Sequence, residues 1–352
     1  MKIKYIFSIL FIVSLLMHLS FGELVKFTEI SSYLWYLNGK KDINSNVEVL
    51  VLGDSQILSG ISLETISKLE RINEHKILYL VRPSEHPEGY YEQFLRIKNH
   101  LPNLKKVYLN ISPISVSQNS VTDTHKQLYF DFAPFSINAI LEPLLRKAYF
   151  QNKYDIFWKL VIEIFPYFGL NQNSSIVLGI LPTSSLFYEE DMIRSRDSLN
   201  INPTIYLIKK RKEQTDFFTN HFNRNSEWTW KTFGTEKELE EEVLFPKGSS
   251  LAFAKRRELS VLIFKKLIEE FKVANIATVC FDIPFSPPLE EDMQIHGVRK
   301  ILQIELMELK FDKLISIPKT ILDKNNYFSD FTHLNQQGRE VVKSYLLSGK
   351  MK

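Results

Sequence analysis

A single cysteine, Cys280, leaves the 352-residue chain unable to form an intramolecular disulfide. It lies inside the apolar run Ile276-Ala277-Thr278-Val279-Cys280-Phe281, which reads as a core thiol rather than a nucleophile. No His/Cys cluster has metal-ligand spacing, and no metal or other cofactor is expected. Charge of one sign is also lacking: 44 basic against 41 acidic residues give a net charge of +3, too little to suggest a nucleic-acid partner. The short basic runs Lys209-Lys210-Arg211-Lys212 and Lys255-Arg256-Arg257 read as solvated helix faces. Neither an internal repeat nor a low-complexity tract is present. With 44% hydrophobic residues, the chain can bury one large core, or one core plus a sizeable insertion.

What is present begins at the N-terminus. Lys2 and Lys4 precede an apolar run from Tyr5 that extends to Phe21, about 17 residues, on the border between an export signal and a spanning helix. Ser20 and Gly22 are small enough for a cleavage site, but His18 and Phe21 make it a poor one, which favours an uncleaved anchor in 1–22. In either case the lysines hold the N-terminus inside. The remainder is expected outside the cytoplasmic membrane, periplasmic or extracytoplasmic, anchored or secreted. Residues 23–44 read as a linker.

Five aliphatic runs read as buried strands: Val47 to Leu52, Lys76 to Val81, Lys106 to Ile111, Ile276 to Asp282 and Leu314 to Ile317. Continuous rather than alternating apolar character predicts a parallel sheet covered on both faces. Helical spacing appears between them, over Ser62 to Arg71 with a stop at Asn73, from Pro87 onward, over Arg256 to Asn275, over Met293 to Leu309, and from Gln336. The pattern is α/β. It breaks between the third strand and the helix before the fourth, where 115–255 is too long for a bare loop and reads as an inserted, mostly helical, aromatic-rich lobe. The α/β domain is therefore split into 45–114 and 256–348.

The candidate chemistry lies at strand ends, where open parallel sheets bind their ligands. The first strand runs into Gly53-Asp54-Ser55, with Gly53 allowing an unusual backbone conformation and Ser55 offering both a hydroxyl and its own amide as an oxyanion donor. Far downstream, Asp330-Phe331-Thr332-His333 supplies an acid three residues before an imidazole. A serine with such a pair is what nucleophilic acyl transfer requires.

These two blocks resemble those of the SGNH, or GDSL-type, hydrolase superfamily, as does the continuation Leu334-Asn335-Gln336-Gln337-Gly338. The resemblance implies a flavodoxin-like three-layer fold with a five-stranded parallel sheet, with Ser55 as nucleophile, His333 as base and Asp330 as its partner. The family's two middle blocks, a glycine after the second strand and an asparagine after the third, have no direct match. Ser84 stands in place of the glycine, and Asn110 or Ser112 in place of the asparagine, as further oxyanion donors beside Ser55. Arg82 and His86 are candidate contacts for an anionic or sugar ligand.

The N-terminal segment and the divergent middle blocks resemble membrane-anchored envelope relatives, the alginate O-acetylation and DltD-like proteins. That resemblance implies a serine acyl esterase or O-acyltransferase acting through an acyl-Ser55 intermediate. Its expected partners are an acylated cell-envelope polysaccharide or lipid, the membrane, and a membrane-bound acyltransferase. The alternative is a non-catalytic glycan-binding or scaffold protein that retains the fold. Pro284-Phe285-Ser286-Pro287-Pro288 reads as a rigid cleft wall, His296 as a helix-start polar residue, and Trp228 and Trp230 as core or sugar-stacking rings.

Overall fold

The computed structural model describes residues 5–6, 8–13, 15–16, 45–81, 85–110, 112–117, 137–150, 152–164, 238–239, 245–255 and 257–349. These fall into two compact units. One holds the described residues of 45–117, 138–148 and 238–349; the other holds the N-terminal helical residues together with 137 and 149–164.

In the first unit, β1 (Val49–Gly53) leads into a short helix α1 (Ser55–Gly60) and then α2 (Leu63–Glu70). Next come β2 (Ile77–Val81), α3 (Pro87–Ile97), β3 (Lys106–Asn110) and the single turn α4 (Pro113–Val116). Helices α5 (Ile137–Leu141), α6 (Pro143–Tyr149) and α7 (Lys153–Ile164) follow, α7 belonging to the second unit. The chain then resumes with α8 (Leu251–Ala254), α9 (Glu258–Val273), β4 (Ala277–Asp282), α10 (Pro287–Ile295), α11 (Val298–Glu308), β5 (Lys313–Ser316) and α12 (Gln336–Leu347).

All five strands are parallel, in the order β2-β1-β3-β4-β5, the flavodoxin-like arrangement of an α/β three-layer fold. Every residue of β1 is buried, as continuous apolar runs require of a sheet covered on both sides. On one side α2 packs with α12; α3 and α9 pack together, with Phe94 and Phe271 meeting edge to face at 4.6 Å. Cys280 lies fully buried on β4.

Three expectations need correction. The helix expected over Met293 to Leu309 is two helices, because Gly297 takes a left-handed conformation (φ 72°) and His296 closes α10 by donating its N–H to the Asp292 carbonyl. The stop expected at Asn73 falls earlier. Arg71 is left-handed (φ 55°) and ends α2, while Asn73 instead accepts the His75 N–H to open a single-turn 3-10 helix. Gly53 has no positive φ; it is needed for space, since a Cβ there would lie 2.6 Å from Ile57 Cγ1 and 2.9 Å from Asn110 Oδ1.

Parts of the expected insertion belong to the sheet's own unit. Asn138 Nδ2 donates to the Leu95 carbonyl at 3.2 Å, and Tyr91 Oη donates to Glu142 at 3.3 Å, tying α5 and the residue that joins it to α6 to α3. Trp228, Trp230 and the expected linker lie outside the described residues. Among the described residues no helix is long and apolar enough to cross a membrane. The helical residues within 5–16 nevertheless leave their apolar side chains exposed, Phe11 at 70% and Leu16 at 59%.

Candidate active site

Three side chains from the two ends of the chain meet at the carboxyl edge of the sheet. Ser55, the first residue of α1, accepts or donates a 2.8 Å hydrogen bond with His333 Nε2, and His333 Nδ1 lies 2.8 Å from Asp330 Oδ2. Burial alone would raise the Asp330 carboxyl. The hydrogen bond and charge of His333, with the N–H groups of Thr332 and His333, outweigh that and hold it at about 2. An ionised carboxylate only accepts, so Nδ1 carries the proton. That leaves the Nε2 lone pair facing the Ser55 hydroxyl.

The turn bearing His333 is built by its own acid. Asp330 Oδ1 accepts the N–H groups of Thr332 (2.7 Å) and His333 (2.9 Å) and the Thr332 hydroxyl (3.0 Å). The turn's base is closed where Ser329 N–H donates to the His333 carbonyl at 2.9 Å, beside a Phe328–Leu334 bridge. Asn335 then caps α12, its side chain accepting the Gly338 N–H at 3.0 Å while its amide nitrogen donates to the Asn326 carbonyl at 2.6 Å. Gly338 permits this closure because a Cβ there would fall 2.2 Å from the Tyr327 carbonyl oxygen. The stretch Leu334 to Gly338 thus docks the helix behind the histidine.

Asp54 anchors the serine side. It is the N-cap of α1, its Oδ1 accepting the Gln56 N–H at 2.9 Å. Asn110 Nδ2 donates to the same oxygen at 2.8 Å and Ser112 Oγ donates to Oδ2 at 3.3 Å. Burial pushes the Asp54 carboxyl up, against the opposing pull of Asn110, Gln56 and the nearby His333 and His86. The Ser55 N–H, at the first position of α1, is directed to no acceptor among the described residues.

Asn110 and Ser112 are therefore placed beside Asp54, each hydrogen-bonded to it. His86 is buried, and its Nδ1 donates to the Ser115 carbonyl at 2.7 Å, joining the start of α3 to α4. Arg82 and Ser84 lie outside the described residues. His296 closes α10 rather than opening a helix, and the proline-rich stretch enters α10 with Pro287 and Pro288 in its first turn.

Sequence reasoning missed Arg339. This buried side chain reaches from α12 to the last carbonyls of α1, donating from Nη2 to Leu58 at 2.7 Å and from Nε to Ser59 at 3.1 Å. The helix that starts with the serine is thereby fastened to the helix that follows the histidine. Nothing in the local pattern marks Arg339, because its partners are backbone atoms distant in sequence. Among the described residues no group of His, Cys, Asp and Glu is suited to a metal ion.

No model of a known protein family matches the chain, and no curated protein matches it in sequence.

Proposed function

We propose that the protein is an exported serine acyl esterase or O-acyltransferase of the SGNH type, acting on an acylated cell-envelope glycan or lipid. The observation that carries this reading is the continuous relay from Ser55 Oγ to His333 Nε2 and from His333 Nδ1 to Asp330, each link 2.8 Å long. In the first half-reaction Ser55 Oγ attacks the acyl carbonyl while His333 Nε2 takes its proton. Asp330 keeps the ring in register and stabilises the imidazolium. The tetrahedral oxyanion draws on the Ser55 N–H, and its collapse expels the alkoxide, which leaves with the proton from His333. Water or an acceptor hydroxyl then gives its proton to His333 and attacks acyl-Ser55; Ser55 Oγ leaves with that proton, releasing an acid or a new ester. Apolar side chains exposed on the N-terminal helical residues support a membrane as one partner.

A second reading, a glycan-binding or scaffold protein that retains the fold, is favoured by one observation. Ser112 Oγ donates to Asp54 and Asn110 Nδ2 spends one of its two hydrogens there, which leaves an oxyanion the Ser55 N–H and the second Asn110 amide hydrogen among the described residues. Loss of a single donor typically slows acyl transfer about 100- to 1000-fold.

Mass spectrometry after incubation with an activated acetyl ester separates the two. An adduct on Ser55, absent from Ser55→Ala, is expected; an unmodified Ser55 in the presence of excess ester sinks the catalytic reading.

A further inference from the structure

The turn that carries the acid and the base has one large apolar side chain, Phe331, between them. Its ring meets Phe245 at 4.9 Å, edge to face (83°). Phe245 belongs to the C-terminal end of the expected insertion, a stretch that also supplies Phe253 and Ala254. All four pack on one buried cluster, Phe285, Leu289, Met293 and Val298, which comes from the loop after β4 and from α10 and α11. The same loop grips the turn through its backbone, Ser286 N–H donating to the Phe331 carbonyl at 3.1 Å. Nearby, Leu239 N–H donates to the Phe328 carbonyl at 2.8 Å, and Gln337 Nε2 donates to Glu238 at 2.8 Å.

The turn needs such support. Asp330 is half-exposed, so the carboxylate that orients His333 is not walled in by its own surroundings. The internal hydrogen bonds fix the shape of the turn but not its position over Ser55. Behind the histidine, position is set by Leu334 and Arg339 on α1; on the acid's side it is set by the Phe331 ring together with the Ser286 N–H on the Phe331 carbonyl. A ring contact edge to face adds to the simple burial of the two side chains.

We propose that Phe245 is a positioning residue for acyl transfer: by packing on Phe331 it holds the Asp330–His333 turn where Nε2 meets Ser55, so the end of the insertion sets the alignment of the base. The proposal rests on Ser55, His333 and Asp330 acting as the reactive relay. A shift of about 1 Å in such a relay is enough to slow reaction about 100-fold.

The test uses the full chain and two readouts. One is the second-order rate at which a fluorophosphonate probe labels Ser55. The other is the downfield proton signal of the His333–Asp330 hydrogen bond in histidine-labelled protein, which reads the turn whether or not the protein turns over a substrate. Phe245→Ala is expected to slow labelling about tenfold or more and to weaken or broaden the signal. Phe245→Leu, which keeps apolar bulk, is expected to restore most of both. Phe253→Ala, on the same cluster but with no ring contact to Phe331, is expected to label within about twofold of the parent.

Wild-type labelling and an unchanged proton signal in Phe245→Ala would overturn the proposal. So would equal losses in Phe245→Ala and Phe253→Ala, which would indicate general loosening. If the parent chain itself fails to label at Ser55, the catalytic reading falls. The histidine signal in Phe245→Ala then still decides whether this ring positions the turn.

Discussion

Asn110 grips Asp54 at two points: its Oδ1 accepts the Asp54 N–H at 3.1 Å and its Nδ2 donates to Asp54 Oδ1 at 2.8 Å. A backbone N–H can only donate, so this pair fixes which way the amide points. The grip spans adjacent strands at their carboxyl ends and sets the residue immediately before Ser55. Asn110→Ala takes one of three donors from a buried carboxyl and leaves the Asp54 N–H without its acceptor, and is expected to cost about 1–3 kcal/mol in urea denaturation. Asn110→Asp places a second carboxyl against one that burial already pushes up. One of the two must then hold a proton that the unfolded chain lacks at neutral pH. Stability of that variant should fall as pH rises and recover on acidification, the order that melting curves at several pH values will check.

Asp330 behaves in the opposite sense. Its folded carboxyl, at about 2, lies below the ordinary 3.8. Its contribution to stability is therefore complete above about pH 4 and disappears as pH falls through about 2. Any acid limb of activity near neutrality belongs to another group. Asp330→Asn removes the acceptor that fixes the His333 tautomer, and the rate of Ser55 acylation should fall about 1000- to 10,000-fold while the fold persists. Retention of acylation within tenfold would contradict the assigned relay.

Gly338→Ala offers a steric test of the turn from behind. The added Cβ meets Leu334 Cδ2 at 2.8 Å and, closer still, a backbone carbonyl oxygen at 2.2 Å, which no side-chain rotation can move away. A cost of about 1–3 kcal/mol is expected. Because α12 follows His333 directly, Ser55 labelling should slow as well, under conditions where circular dichroism shows the variant still folded.

Glu290 holds the loop on the other flank. Its Oε1 accepts the buried Phe285 N–H at 2.9 Å, Lys319 lies 2.6 Å from Oε2, and Arg299, paired with Asp282 at 2.7 Å, stands 3.7 Å away. Glu290→Ala leaves that N–H and a buried guanidinium short of partners. A loss of about 2–4 kcal/mol is expected from denaturant titration, with Glu290→Gln recovering part of it through the Phe285 contact.

The N-terminal segment makes a separable prediction. Full-length protein should sediment with membranes, whereas a chain lacking residues 2–22 should remain in the supernatant. Equal partitioning would remove the membrane from the list of partners.

The strands were the most legible feature, since parallel strands buried on both faces announce themselves as short aliphatic runs. Gly53-Asp54-Ser55 and Asp330 to His333 were legible for a related reason: each turn is shaped by hydrogen bonds between neighbours within a few residues. What stayed hidden depends on distant or backbone partners. Arg339 donates to carbonyls of α1, which folding alone brings within its reach. The break at Gly297 was masked by apolar spacing that continues across it. Phe245 could not be paired with Phe331, because sequence carries no sign of where an insertion returns to its host.

Ser55 and His333 are 278 positions apart along the chain and 2.8 Å apart in space. The entropy of closing so large a loop grows only logarithmically with length, so the separation does little to weaken the contact. What it governs is timing. A nascent, stalled or clipped chain that ends before the last strand carries the serine but no base to activate it. Only when β5 and α12 have docked does the hydroxyl acquire a proton acceptor. The order of the chain therefore makes the Ser55–His333 pair a property of the finished molecule, absent until its last segment has folded.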